Sequence, residues 1–363
     1  MAEVGAGSEG DEGDESLVLP LPGALIASEQ EELPPEATAV VEALAALTPG
    51  APVRETLAAL EPTVREILAR WRAAEVTATA PDRLSPRQIE YDRYFRVRRA
   101  ESSAPLRVYY DATIVAYHRL LRESLCEHSL TPIEFGQLRA GLEGVLFRLR
   151  SPEHPVSVRC PPPRPVPPAG AVGEPLPPDR ALRRWVRGHH AFFVLIQGLL
   201  LGHERLVRAM RAGQSPRIQA MLDWTVELWW ASAAAFRLAG DFDAHAYATI
   251  VRPSMAPPHV SEGFSGLHSA DHTELIGMLK ATRPAIEDRC VTHPAEHRSY
   301  LWALSSVYDS HVYVCEELVG DGPSLKHSGS RYGARATAVL ARPLKQRAMY
   351  GGGASAPVTA EEG

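Results

Sequence analysis

Long segments with helical periodicity fill most of this 363-residue chain, and one dense run of prolines interrupts them. Eleven prolines lie within residues 151–178. Proline lacks the amide hydrogen that a helix interior or a central strand needs, so we expect a linker or a surface excursion here. The chain is therefore expected to form two helical regions, residues 17–150 and residues 179–347.

The expected fold class is all-α. Apolar residues recur at spacings of three and four in many segments. Alternating strand patterns joined by Asn-Gly or Asp-Gly turns are absent from the sequence, which argues against a β-rich core. The predicted helices are 36–48, 53–73, 86–101, 105–127, 131–150, 179–212, 216–239 and 295–320. Pro62 is expected to divide the second of them into two helices.

The two ends of the chain have the composition of unstructured tails. Residues 1–16 are rich in Gly, Glu, Asp and Ser, and residues 348–363 are rich in small residues, so we expect both to be disordered. The first tail has no basic residue before the apolar run 17–27, which makes it a poor signal peptide. The net charge of −6, with charges well mixed, argues against a nucleic-acid partner.

Cysteine usage and hydropathy indicate a cytoplasmic location without a membrane partner. The longest apolar run near the middle of the chain, residues 191–202, is too short to span a bilayer. The four cysteines are widely separated and form no CxxC pair, which is typical of a reducing compartment. They are Cys126, Cys160, Cys290 and Cys315.

Histidines are concentrated toward the C-terminus, where seven of the fourteen lie between residues 259 and 327. Side chains four positions apart on a helix share one face and can bind the same metal ion or cofactor. Pairs with this spacing are His268/His272, His293/His297 and His311/Cys315. Such pairs also arise without any ligand, and we keep this structural interpretation for His293/His297, which includes a proline.

The pair His311/Cys315 differs because it borders the apolar stripe of the helix predicted at 295–320. The stripe comprises Leu301, Leu304, Val307, Tyr308, Val312, Cys315 and Leu318. A buried imidazole needs a partner for each ring nitrogen, and zinc or a haem iron would supply one. Two ligand sets remain open at this point. One is zinc bound by His268, His272, His311 and Cys315, and the other is haem with axial histidines.

The order His272, 38 further residues, then His311-x-x-x-Cys315 resembles the haem motif of the 3-methyl-L-tyrosine hydroxylases of saframycin-type antibiotic biosynthesis. Residues 263–275 and 320–337 are similar to segments of tryptophan 2,3-dioxygenase, from the wider superfamily of histidine-ligated haem aromatic oxygenases. The resemblance implies a helical haem-binding core like that of the dioxygenase. It also implies axial iron ligation by His272 and His311, and a c-type haem with one thioether to Cys315.

The same resemblance implies an oxidoreductase that hydroxylates 3-methyl-L-tyrosine, or a related tyrosine, with hydrogen peroxide. The product would be 3-hydroxy-5-methyl-L-tyrosine, a catechol used in tetrahydroisoquinoline antibiotics. His311, next to the thioether, is the expected permanent ligand. His272 follows a glycine-containing segment and is the expected displaceable ligand and acid–base group. The carboxylate-binding arginine of the dioxygenase falls at Ala270 and its distal histidine near Gln197, which disfavours tryptophan ring cleavage.

The polar end of the amino acid has three candidate partners, Arg252, Ser328 and Arg331. Residues 320–333 are expected to form a loop that closes over the substrate. Two other functions stay open. One is a bis-histidine haem electron carrier or sensor, and the other is a zinc-stabilised helical protein without catalysis. The sequence is also compatible with self-association into a homo-oligomer.

Overall fold

Helices make up most of the described structure, which confirms the expected all-α class. The computed structural model describes residues 16–28, 33, 38–47, 51–73, 83–151, 154 and 177–319. The two expected tails, the proline run and the expected loop at 320–333 lie wholly or almost wholly outside these residues. No helix in the described ranges is long and apolar enough to span a membrane.

The element order begins with a strand and ends with two long helices. The strands are β1 (Leu17–Pro20) and β2 (Val97–Ala100). The helices are α1 (Pro22–Ala27), α2 (Thr38–Ala45), α3 (Val53–Ala73), α4 (Pro86–Tyr94), α5 (Pro105–Ser124), α6 (Pro132–Arg150), α7 (Pro178–Arg211), α8 (Ser215–Ala239), α9 (Ala244–Ala246), α10 (Arg252–Ser254), α11 (Ala270–Thr292) and α12 (Pro294–Val319). A π-helix, Tyr247–Val251, joins α9 to α10, and a 3₁₀ turn, Gly266–His268, precedes α11.

Helices α7 and α8 form the centre of the molecule. They pack against each other, while α6 and α12 pack on α8, and α5 and α11 pack on α7. Close packing between α7 and α8 requires a small residue at position 188, since a Cβ on Gly188 would lie 2.6 Å from the Cα of Ala239. This arrangement places one face of α7, α8, α11 and α12 around a shared interior.

Local sequence signals explain where several helices begin. Thr131 precedes α6 and accepts a hydrogen bond from the amide of Glu134 at 3.2 Å, while the Glu134 carboxylate accepts from the amide of Thr131 at 2.8 Å. Ser85 and Gln88 form the same reciprocal arrangement at the start of α4. Each pair satisfies amide hydrogens that have no partner within the helix.

The expected break at Pro62 was wrong, because α3 is one continuous helix. Pro62 lies on the exposed side of α3, as does Ala58, whose carbonyl loses its usual amide partner. That carbonyl is accessible to water, so the missing hydrogen bond costs less there than in the core. The opposite face is buried against α5 and keeps the two halves aligned.

The expected helix 86–101 was also wrong in its second half. Helix α4 ends at Tyr94, and Arg96 adopts a φ of 53°, in the left-handed region that an α-helix does not continue through. The next residues form β2, which pairs in parallel with β1 so that Leu17 lies opposite Val97. The buried strand β1 supplies the backbone partner for β2, and local helical spacing could not reveal a partner so distant along the chain.

Candidate functional site

A cavity of about 360 Å³ lies among α4, α7, α8, α11, α12 and the segment that leads into α11. Its volume is within the range of cofactor and small-molecule pockets. Aromatic rings from several elements line it, among them Phe95, Trp185, Phe193, Phe236, Tyr247 and Phe264. The walls are therefore largely apolar, and the few polar groups among them are candidates for specific contacts.

The structure brings the three motif residues together at this cavity. His272 lies in the first turn of α11, while His311 and Cys315 lie one turn apart on α12, and all three line the cavity. Burial, together with the nearby His272, lowers the pKa of His311 to about 4. The imidazole of His311 is therefore neutral near pH 7 and can offer a lone pair to a metal.

The ring of His311 is held by stacking rather than by hydrogen bonds. It lies parallel to the ring of Phe236, with centroids 4.9 Å apart and planes inclined by 11°. Within the described part of the chain, neither ring nitrogen of His311 has a hydrogen-bond partner. An imidazole in this state has a lone pair without a hydrogen-bond donor, which a bound iron would satisfy.

Cys315 is a free, half-buried thiol in the same cavity. Burial raises its pKa to about 11, so it is protonated near pH 7. The thiol is compatible with a covalent bond to a cofactor that lies against α12. Cys126, which is also a free cysteine, does not line the cavity.

The zinc set that the sequence left open as an alternative is not assembled. His268 lies in the 3₁₀ turn before α11, so it does not share a helix face with His272, and it does not line the cavity. No group of three His, Cys, Asp or Glu side chains among residues with a described position could hold a metal ion. Helix formation begins only at Ala270, after Ser269 caps the helix, and this boundary explains the error.

The buried face of α12 is rotated from the expected stripe. Its buried residues are Tyr300, Ala303, Val307, Ser310, Val314 and Leu318. Val312, expected in the stripe, is only half-buried. The helix packs on α8 and borders the cavity at the same time, so its inward face is broader than the apolar residues alone indicate.

His189 of α7 is a cavity residue that the sequence analysis did not single out. Its Nδ1 lies 2.7 Å from the carbonyl oxygen of Trp185. A carbonyl can only accept, so Nδ1 carries the proton and Nε2 has the lone pair. Burial lowers the pKa of His189 to about 4, and its ring stacks on Phe95 with centroids 4.2 Å apart. No described residue hydrogen-bonds Nε2, so His189 offers the cavity a neutral acceptor. The adjacent histidines 189 and 190, within an apolar helix, were the only sequence signal.

The other predicted site residues have different outcomes. Arg252, at the start of α10, lines the cavity beside the phenol of Tyr247. Ser328 and Arg331 lie outside the described residues. Gln197 does not line the cavity, although the distal histidine of the dioxygenase aligns near it. Its amide instead donates to Asp271 at 2.8 Å, in a buried network behind α11.

Comparisons with known proteins identify relatives of this chain. The family model described as SfmD 3-methyl-L-tyrosine peroxygenase matches residues 15–348. A protein of Streptomyces lavendulae named 3-methyl-L-tyrosine peroxygenase is 35% identical over 217 residues, which cover 59% of this chain and 58% of that protein. A solved structure, described as reduced SfmD soaked with sodium hydrosulfite, has a TM-score of 0.64 and 28% identity. The structural match covers 82% of this chain and 96% of the chain in that solved structure.

Proposed function

The chain belongs to the SfmD 3-methyl-L-tyrosine peroxygenase family, and we propose that it hydroxylates 3-methyl-L-tyrosine, or a related tyrosine, with hydrogen peroxide. One peroxide oxygen would replace a ring hydrogen ortho to the phenol, and the other would leave as water. The substrate is oxidised by two electrons and becomes a catechol, 3-hydroxy-5-methyl-L-tyrosine, which is suited to tetrahydroisoquinoline antibiotic biosynthesis. The observation that carries this proposal is the meeting of His272, His311 and Cys315 at one apolar cavity.

The donor set of the cavity fits a haem. His311 and His272 would hold the iron, and Cys315, one helical turn from His311, would form a single thioether. The aromatic walls provide the apolar surroundings that a macrocycle requires. When bound, haem would supply the peroxide activation and oxygen transfer that amino-acid side chains cannot perform.

The two histidines have different proposed roles. His311 is the permanent ligand, because Phe236 fixes its ring and Cys315 would tie its helix to the cofactor. His272 would be the displaceable ligand. Its ring nitrogen would accept a proton from the peroxide and return it to the departing oxygen.

Two further side chains would orient the substrate. Nε2 of His189 would accept a hydrogen bond from the phenol, because it has a lone pair and no hydrogen-bond partner among the aromatic side chains around it. Arg252 would bind the carboxylate, since a guanidinium can donate two parallel hydrogen bonds to it. The aromatic rings between them would exclude water from the reacting carbon.

These polar groups also argue against a bis-histidine electron carrier. Electron transfer requires neither a free acceptor such as His189 nor a cation such as Arg252 in the cavity wall. Both are consistent with a substrate that has a phenol at one end and a carboxylate at the other.

The test is purification of the full chain with its cofactor, followed by reaction with 3-methyl-L-tyrosine and hydrogen peroxide. We expect a haem absorption spectrum and a product whose mass has increased by one oxygen atom. Absence of a haem spectrum would contradict the cofactor assignment. A normal haem spectrum without this product would contradict the substrate assignment.

A further inference from the structure

A buried ion-pair network lies directly behind the first turn of α11, outside the cavity. Arg99 of β2 lies between Asp92 of α4 and Asp271 of α11. Its Nε and Nη2 donate to the two oxygens of Asp92, both at 2.9 Å. Its Nη1 and Nη2 donate to the two oxygens of Asp271, at 3.0 and 2.7 Å. One guanidinium thus binds two carboxylates from different helices.

Further hydrogen bonds tie this network to α7 and β1. The amide of Gln197 donates to Asp271 at 2.8 Å and to the carbonyl of Pro20 at 3.0 Å. Arg99 also donates to the Pro20 carbonyl, at 3.2 Å. Asp271 is 0% exposed and accepts three hydrogen bonds, two of them charge-assisted. Moving Asp271 would leave a buried charge without its partners, which is strongly unfavourable.

Asp271 precedes His272 in the same helical turn. On the other side, Ser269 caps the helix, since its hydroxyl accepts from the amide of His272 at 3.2 Å and its carbonyl accepts from the amide of Thr273 at 3.0 Å. The backbone of His272 is therefore held from two directions. The preceding segment is less constrained, with a left-handed Gly263 (φ 78°) and a Leu267 that is 54% exposed.

We infer that the Arg99 bridge is a positioning device that fixes the first turn of α11, so that His272 leaves its ligand position by rotation of its side chain and not by movement of its backbone. The inference rests on the proposed function, because it takes His272 as the displaceable haem ligand. It replaces the expectation that the glycine-containing segment before His272 supplies the movement. Arg99, Asp271 and Gln197 are positioning residues and do not line the cavity.

The first test is the variant Asp271→Asn in the haem-loaded full chain, in the absence of substrate. The amide keeps the shape of the side chain but loses its charge, so we expect the ratio of high-spin to low-spin haem to rise about tenfold, the scale of one weakened charge-assisted hydrogen bond. The matched control is Glu227→Gln. It weakens a different buried pair, with Arg148 at 3.2 Å, and does not alter the cavity. The control should lower thermal stability and leave the spin ratio unchanged.

A milder variant, Gln197→Leu, keeps the inference testable if Asp271→Asn does not fold. It removes the hydrogen bonds to Asp271 and to the Pro20 carbonyl, together with a buried, unpaired amide oxygen. Arg99 still donates to both acceptors, so the stability of the variant should stay close to that of the parent protein. We expect a smaller rise of the high-spin fraction in the same direction. Parental spin ratios in both variants would overturn the inference.

Hydrogen exchange of the haem-loaded parent protein with and without 3-methyl-L-tyrosine tests the rotation directly. We expect substrate to change the spin state while exchange of amides 270–275 changes by less than about twofold, since the helix does not open. An increase of about tenfold at these amides in the complex would show backbone movement and overturn the inference. A parent protein that binds no haem would refute the proposed function itself, whereas a low-spin parent with unresponsive variants refutes only the role of the bridge.

Discussion

At the scale of single residues, Cys315 determines whether the cofactor is covalently attached. Its thiol is protonated and lines the cavity one turn from His311. We expect Cys315→Ala to retain haem through its histidines but to release it in acid–acetone extraction. Cys126→Ala is the matched control, because it removes a free thiol outside the cavity, and its haem should stay with the polypeptide. Haem that resisted extraction from Cys315→Ala would require another attachment residue.

Replacement of His272 and of His311 by alanine should change the haem spectrum in different ways. His311→Ala should lose most of its haem, because the permanent ligand is absent. His272→Ala should keep haem in a five-coordinate, high-spin form. His268→Ala is the control, since His268 does not line the cavity, and its spectrum should match that of the parent protein. A low-spin spectrum in His272→Ala would transfer the ligand role to another residue.

A substitution at His189 tests whether this residue recognises the phenol of the substrate. We expect His189→Phe to bind 3-methyl-L-tyrosine about tenfold more weakly, the scale of one lost hydrogen bond. Affinity for 3-methyl-L-phenylalanine, which lacks the hydroxyl, should be almost unchanged. Calorimetric titration of both compounds measures the difference. An equal loss of affinity for both would indicate altered packing and not a lost hydrogen bond.

At the scale of secondary-structure elements, the contact of α12 with the end of α8 shapes one wall of the cavity. A Cβ on Gly240 would lie 2.5 Å from Cγ1 of Val314, a stiff β-branched side chain that lines the cavity. Gly240→Ala should therefore lower the free energy of unfolding by about 1–3 kcal/mol and weaken haem retention. Denaturant titration of the haem-loaded protein gives the first quantity. Haem transfer to apomyoglobin, measured in a Cys315→Ala background that lacks the thioether, gives the second.

Gly277→Ala is the matched control for that substitution. Gly277 lies within α11, and an added Cβ would meet nothing within 4 Å. Alanine favours the helix over glycine by up to about 1 kcal/mol, so this variant should be slightly stabilised with unchanged haem retention. If Gly240→Ala behaved in the same way, the wall would be more adaptable than the packing indicates.

Sequence periodicity predicted the helices well where packing and local signals agree. The long helices α5 to α8 and α12 begin and end close to their predicted bounds, because a proline in the first turn and apolar spacing act along one segment. Predictions failed where a distant partner decides the outcome. Strand β2 depends on β1, and the continuity of α3 depends on α5.

The site divides in the same way. His272, His311 and Cys315 belong to a spaced motif, so the sequence alone was sufficient to propose them as site residues. His189 and Arg99 have no such motif. Their significance arises from three-dimensional neighbours: the Trp185 carbonyl that orients His189, and the two carboxylates that Arg99 joins. Single-sequence patterns contain no record of such pairings.

At the scale of the whole molecule, buried neutral histidines make stability depend on pH. His203 is 0% exposed, donates to the Leu199 carbonyl at 2.7 Å and pairs with the Tyr300 hydroxyl at 2.8 Å. Burial lowers its pKa from the ordinary 6.5 to about 4. Between pH 6.5 and about pH 4 this histidine is therefore protonated in the unfolded chain but not in the folded chain. The free energy of unfolding consequently decreases as the pH falls through this window.

This single histidine should reduce the free energy of unfolding by about 1.4 kcal/mol for each pH unit between 6.5 and 4. His203→Gln should reduce the slope by that amount, as measured by denaturant titration across the window. His259→Gln, at an exposed position, is the control for the substitution itself. An unchanged slope in His203→Gln would show that other groups govern acid unfolding.

The central claim is oxygen transfer from peroxide to a phenolic amino acid within the cavity of His272, His311 and Cys315. Mass spectrometry of the product formed from 3-methyl-L-tyrosine and hydrogen peroxide labelled with ¹⁸O tests it most directly. We predict one ¹⁸O atom in the new hydroxyl group of the catechol. A catechol that carries oxygen from unlabelled water or air, or no catechol at all, would contradict the claim.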